Sequence, residues 1–289
     1  MKQRFTHEEL EFLFSEYPTK GIKYCAEFLN RTEISIQRKV SKLKLKINDT
    51  SKKERQRIAG KNRDVYNKKH NINENMFFII NEPIVAYFLG LLWSDGHIIS
   101  KGSGKENSIK IEAKKTDLIE IIDDLSLLGK WTVSYRKRPG RQEQMLVCTS
   151  NRKLVDFLVD HGYLNKKIES ADKILNKIPD KLKHYFFRGL SDGDGCFYQN
   201  IKNRCTQYTI HSTYEQDWSY VEILFKFLNI KYNILRIDRL YSKSSTIRIT
   251  DKKDIIKFGN YIYFGGKFGF SRKYMKFKTI NDGSELVCL

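Results

Sequence analysis

Asp95 is the penultimate residue of the segment YFLGLLWSDG (87–96) and Asp194 that of YFFRGLSDGDG (185–195); each is followed by glycine, and the two lie 99 residues apart. A single Asp-Gly is usually a turn or a helix end. This pair differs because the sequence after each member also matches. SIKIEA (108–113) meets QYTIHS (207–212), TDLIEIIDDLSLLG (116–129) meets EQDWSYVEILFKFLN (215–229), and TVSYR (132–136) meets YNILR (232–236). MLVCTS (145–150) then meets TIRIT (246–250), and LVDFL (154–158) meets IIKFG (255–259), with offsets held at 99–101. Such a register predicts one fold unit duplicated within the chain and packed about a pseudo-twofold axis.

The elements that must carry the two acids follow from local signals. Asn81-Glu82-Pro83 and Pro179-Asp180 open two helices that run into the Asp-Gly pairs. Gly90 and Ser94 in one, Gly189 and Gly193 in the other, place small residues four apart on one face, so the helix backbones can approach closely. Phe88, Leu89 and Leu92, matched by Phe187 and Leu190, fill the cores on either side. If the helices cross with their C-terminal ends together, Asp95 and Asp194 lie side by side, each at the negative end of a helix dipole. They then repel each other unless a cation sits between them. A site made only of oxygen ligands selects a hard ion, Mg²⁺ or Mn²⁺, and such ions bridge carboxylates to phosphate oxygens.

The segments FLGLLWSDG (88–96) and FRGLSDGDG (187–195) resemble the nine-residue motif of LAGLIDADG homing endonucleases of the single-chain, two-motif kind, and the repeated unit spans about 200 of the 289 residues. The resemblance implies an α+β fold: two αββαββα repeats whose four-stranded sheets form a saddle over double-stranded DNA. It implies that Asp95 and Asp194 bind the catalytic metal, and that one lysine per repeat stands near the reacting phosphate. Lys167 in KKI (166–168) and Lys273 in RKY (272–274) are the candidates, with Lys166, Arg272 and Lys267 open as alternatives. The first motif departs from the pattern at Trp93, where the family often has an acid, while the second keeps Asp192. His97 follows the first Asp-Gly but has Cys196 as its counterpart, which weakens a general-base role.

The chemistry implied is hydrolysis of one phosphodiester per strand, with metals activating water and stabilising the leaving oxygen and the lysines offsetting developing charge. Alternation along the strands supplies candidate readers of base edges. These are Ser108, Lys110 and Glu112; Thr132, Ser134 and Arg136; Gln207, Thr209 and His211; Arg236 and Asp238; Thr246 and Arg248.

Composition points to the same partner. Lys+Arg 53 against Asp+Glu 34 leaves +19, a surplus that a polyanion would neutralise. Residues 1–46 carry three short apolar-periodic segments with Thr6 and Thr32 at N-cap positions, a helix-turn-helix pattern whose last helix offers Ser35, Gln37, Arg38, Lys39 and Lys42 to DNA. From Arg38 to Lys69 thirteen basic residues face three acids, so 47–75 is expected to be a basic tether. The repeats then occupy 76–178 and 179–289. Five scattered cysteines without a CxxC pair suggest a reducing compartment, and no apolar run is long enough to span a bilayer. A cytoplasmic monomer without a membrane partner is the expectation. Two alternatives use the same fold, a DNA-binding regulator that does not cut and an RNA maturase; retention of both Asp95 and Asp194 favours the nuclease.

Overall fold

The computed structural model describes residues 5–48, 72–100, 107–137, 139–140, 142–200, 202–203, 205–239, 242–265 and 268–282. Lys267, one of the lysine alternatives, and most of the expected tether lie outside the described residues. The chain divides into two compact units, 1–68 and 69–289.

In the first unit, α1 (His7–Phe28) begins at a capping box: the Thr6 hydroxyl accepts from Glu9 N and the Glu9 carboxylate accepts from Thr6 N. It is broken at Gly21, whose φ of +77° is a left-handed conformation that glycine tolerates, three residues after Pro18. The two halves of α1 and the helix α2 (Glu33–Lys42), capped by Thr32, therefore make three helical pieces. They enclose a small core of Leu13, Tyr17, Cys25, Ala26, Ile36 and Val40.

The second unit has its own, larger core, and residues 72–75 of the stretch expected as a tether belong to it. Ile72 is buried and bridges to Gly129, after which a short helical turn, α3 (Asn75–Phe78), buries Phe77. The first repeat follows as α4 (Pro83–Ser94), β1 (Gly96–Ile99), β2 (Ser108–Lys114), α5 (Lys115–Leu127), β3 (Thr132–Arg136), β4 (Gln144–Thr149) and α6 (Arg152–Asp160). A connecting turn, α7 (Asp172–Leu175), leads to the second repeat. That repeat comprises α8 (Asp180–Asp194), β5 (Gly195–Asn200), β6 (Cys205–Ser212), α9 (Ser219–Phe227), β7 (Asn233–Arg239), β8 (Ser242–Ile249) and α10 (Lys252–Ile262), with a further helix α11 (Ser271–Asp282). The two sheets are antiparallel with orders β1-β2-β4-β3 and β5-β6-β8-β7. This is the duplicated αββαββα architecture expected.

Pairing shows how far the duplication holds. Gly96 faces Ile111 and Gly195 faces Ile210, both shifted by 99. Cys148 and Arg248 are equivalent at 100, and Thr132 and Asn233 are equivalent at 101. The apolar face of each sheet, built on Ile109, Ile111 and Val147 in one and Tyr208, Ile210 and Ile247 in the other, is buried in the core.

The helices α4 and α8 pack closely because the residues at their crossing are glycines and a serine. A Cβ on Gly90 would overlap the Phe186 carbonyl, one on Gly189 would overlap the Tyr87 carbonyl, and one on Gly193 would overlap the Ser94 hydroxyl. The four small residues expected at a seam are at that seam.

Candidate active site

The site forms where α4 and α8 end. Asp95 is the C-cap of α4 and Asp194 the last residue of α8. A Cβ on Gly193, the neighbour of Asp194, would stand 3.2 Å from Asp95 Oδ2, and the charge of Asp194 acts on Asp95 across the seam. Both are partly buried, and no hydrogen bond from a described residue reaches either carboxylate. Burial, and then the charge of Asp194, raises the Asp95 pKa to about 6. Burial likewise raises Asp194, opposed by Lys166, Lys167 and Lys273.

The flanking cations take different parts. Lys166 is buried and donates to the carbonyl oxygens of Leu92 (2.9 Å) and Ser94 (2.7 Å), closing the end of α4. Its pKa falls to about 8 because burial outweighs the pull of Asp194 and Asp95. Lys273, at the start of α11, is also buried and donates to the carbonyl of Gly195, the residue that caps α8 and opens β5. Lys166 and Lys273 thus play similar parts without being exact counterparts, each bonding backbone carbonyls where a seam helix ends. Lys167 is exposed, and its charge acts on both acids.

Arg272 is held by the Asp117 carboxylate of the first repeat at 2.7 and 3.2 Å, and Ser271 N donates to Glu120 Oε2 at 2.7 Å. The second repeat's lysine is thus aimed from the first repeat. Sequence reasoning did not single out Asp117; an acid on the buried side of an otherwise amphipathic helix was the available signal.

Behind the site, Asp192 accepts from Tyr87 Oη at 2.8 Å and from Phe270 N at 2.9 Å, and burial raises its pKa to about 7. The equivalent position in the first repeat, Trp93, packs edge-on against Tyr163 and Tyr220. Both positions are interior ones. Arg188, fully buried, donates to the carbonyls of Ile262 and Phe264 and ties α8 to the end of α10. His97 is exposed on β1, paired with Lys110.

A cavity of about 230 Å³ opens beside Asp194, lined among others by Lys166, Lys167, His211, Thr213 and Lys243. No group of three or more His, Cys, Asp or Glu side chains among the described residues could hold a metal ion. Two unpartnered carboxylates in a half-buried setting nevertheless suit a hard divalent cation that completes its shell with water and phosphate oxygens.

The open sheet faces carry most of the expected readers, with corrections. Lys110, Glu112, Thr132, Ser134 and Arg136 share one face, where Glu112 and Arg136 pair at 3.6 Å. Gln207, His211 and Arg248 share the open face of the other sheet. Ser108, Thr209 and Thr246 lie on these faces but are buried, Thr246 at 2.8 Å from His211 Nδ1, so neighbouring side chains cover them. Arg236 and Asp238 are on the opposite face. Arg236 pairs with Ser245, in line with Ile247 and Ile234, and donates to the carbonyls of Tyr214 and Gln216, while Asp238 is 3.4 Å from Lys243. The reason is register: an offset of 100 equates Arg236 with Arg136, whereas the true offset of 101 equates it with Tyr135, and one residue reverses the face. On α2, Gln37, Arg38 and Lys42 are exposed and Ser35 and Lys39 half-buried.

Fold and site together define a duplicated α+β protein with paired acids at the joined ends of its seam helices. No family model matches the chain, and no curated protein sequence matches it. Among solved structures it is similar to "The homing endonuclease I-WcaI bound to its DNA recognition sequence", at 21% identity and a TM-score of 0.49, over 66% of this chain and 85% of that one. It is also similar to the LAGLIDADG meganuclease I-AabMI bound to uncleaved DNA, at 11% identity and a TM-score of 0.48, over 71% and 91% of the two chains. A third is the LAGLIDADG homing endonuclease I-GzeII in complex with its DNA target, at 14% identity and a TM-score of 0.44, over 70% and 89%. No described helix is long and apolar enough to cross a membrane.

Proposed function

We propose that this chain is a site-specific homing endonuclease that makes a double-strand break in a long DNA target by metal-dependent phosphodiester hydrolysis. The observation that carries this is the meeting of Asp95 and Asp194 at the seam, with Lys166, Lys167 and Lys273 around them. Two half-buried like charges without hydrogen-bond donors among the described residues cost stability, and a divalent cation brought to a phosphodiester relieves that cost.

Asp95 and Asp194 would hold the cations, Mg²⁺ or Mn²⁺; when bound, these lower the pKa of water and stabilise an oxygen leaving group. The protein's own share is positioning and charge. Lys166 and Lys273 fix the ends of the two helices and hence the carboxylates. Lys167, exposed and lining the cavity, would offset charge gathering on a phosphate. Lys110, Arg136 and Arg248 on the open faces supply cations for the flanking backbone and base edges.

Residues 1–46 act in this reading as a helix-turn-helix that adds DNA contacts through Ser35, Gln37, Arg38, Lys39 and Lys42, joined by the basic tether. The protein works as a monomer, since both acids come from one chain, and in the cytoplasm, a reducing compartment that suits scattered cysteines without a CxxC pair. The test is to incubate the purified protein with a DNA fragment library and Mg²⁺ and to sequence the ends. Clustered double-strand breaks, abolished in Asp95→Asn and in Asp194→Asn, are expected. Specific binding with no cleavage under any divalent ion would instead favour a non-cutting regulator.

A further inference from the structure

The corrected register of β7 brings forward residues that no charge or hydrogen-bonding pattern had marked. Asn233, Leu235, Ile237 and Arg239 share the open face with Thr246 and Arg248. Leu235 and Ile237 are 41% and 40% exposed there, two aliphatic side chains on a face whose other exposed members are polar, basic or, at Tyr198, aromatic. Their equivalents in the first repeat, at the offset of 101, are Ser134 and Arg136. The two halves are thus alike in fold and unlike in the chemistry of their outermost strands.

We infer that Leu235 and Ile237 are specificity-determining residues that pack against thymine 5-methyl groups in the half of the DNA target beneath the second repeat. This rests on the DNA-cleaving reading above. The surrounding charge selects a polyanion, with Arg248 and Arg239 exposed or half-exposed beside the pair and a net +19 overall. Among the base edges in a major groove the thymine methyl is the apolar group, so it is the natural complement of an exposed aliphatic side chain. Spacing agrees: residues two apart on a strand are separated by about 6.6 Å, close to two steps of about 3.4 Å along a DNA strand. The first repeat has a hydroxyl and a guanidinium at these positions, and the aliphatic residues of its open face, Ile99 and Leu146, are less exposed than Leu235 and Ile237.

The test uses the full chain and the target recovered by end sequencing. Thymines are replaced by uracils, which removes only the methyl, in one half-site at a time, and affinity is measured without Mg²⁺. Expected is a loss of about threefold to fourfold per contacted methyl, the factor for burying one methyl-sized group, in one half-site only. That loss should vanish in the double variant Leu235→Ser/Ile237→Ser, whose melting temperature should match the parent because both side chains are exposed. Indifference of the parent to uracil in both halves, equal losses in both halves, a loss that persists in the variant, or the absence of thymine from the relevant half each overturns the assignment while leaving cleavage standing. Failure to cut any DNA overturns the cleavage reading itself, and this assignment with it.

Discussion

Lys166 places its ammonium group 2.7 Å from the Ser94 carbonyl oxygen, one residue before Asp95, and makes a second bond to Leu92 at 2.9 Å. The neighbouring Lys167 has the same charge and a different surrounding, exposed beside the cavity. Replacing the first should damage the fold, and replacing the second the reaction. Lys166→Met is expected to cost about 2–3 kcal/mol, since two carbonyls lose a charged donor and the carboxylates lose a buried counter-charge. Lys167→Ala should leave thermal unfolding unchanged and lower the cleavage rate by about 100-fold, the scale of losing one electrostatic stabiliser. Melting curves and single-turnover cleavage distinguish the two; a Lys167→Ala protein with parental rate would remove that residue from the chemistry.

The carboxylate pair predicts an inverted pH response for the metal-free protein. With a folded pKa near 6 against about 3.8 when unfolded, Asp95 binds more protons in the native state, so its contribution to stability falls as pH rises from about 4 to about 6 and stays lost above that. Asp95→Asn should raise metal-free stability at pH 7.5 by roughly 1–2 kcal/mol, discounted for partial solvent access, and flatten that slope. Added Mg²⁺ should stabilise the parent at pH 7.5 and not at pH 5, where protons compete for the site. Denaturant titrations at the two pH values, with and without the ion, read both effects.

Glycine at the seam leaves no room for even one carbon. Gly90→Ala and Gly189→Ala each set a Cβ onto a main-chain carbonyl of the opposite helix, so the helices must separate. The expected cost is about 3 kcal/mol or more per site, at the upper end for overpacking because backbone cannot swing aside. Circular dichroism melts would show it; a Gly90→Ala protein as stable as the parent would mean that the helices are not in contact there.

Much of this arrangement was legible beforehand because repetition carries information that single motifs lack. The seam glycines, the paired acids, the N-caps at Thr6 and Thr32 and the sheet cores all follow from small residues at helical spacing, from repeated Asp-Gly and from alternation. Less legible were features set by tertiary contact. The face of Arg236 depended on one residue of register that the pattern of β7 does not fix, since Leu235 and Ile237 make that strand apolar on both sides. The burial of Thr209 and Thr246 reflects neighbours across the sheet, and the split between Lys166 and Lys167 depends on which of two adjacent ammonium groups reaches the end of α4.

The Asp117–Arg272 pair spans the two repeats with an almost fully buried acid and a half-exposed base. A double-mutant cycle with Asp117→Asn and Arg272→Gln should give a coupling of about 1–2 kcal/mol. Asp117→Asn alone should also slow cleavage by shifting Lys273, more than a substitution of similar stability cost elsewhere. A coupling near zero would reduce the pair to a surface contact.

The strand β7 lies at the rim of its sheet, where among the described residues β8 is its one neighbouring strand. Rim position gives it a freedom the inner strands lack: a change in the length of the connections around it can re-phase which side chains look outward without disturbing the three strands behind. Two halves that began as copies can in this way acquire unlike preferences in a single step of insertion or deletion, with the hinge of carboxylates between them left untouched.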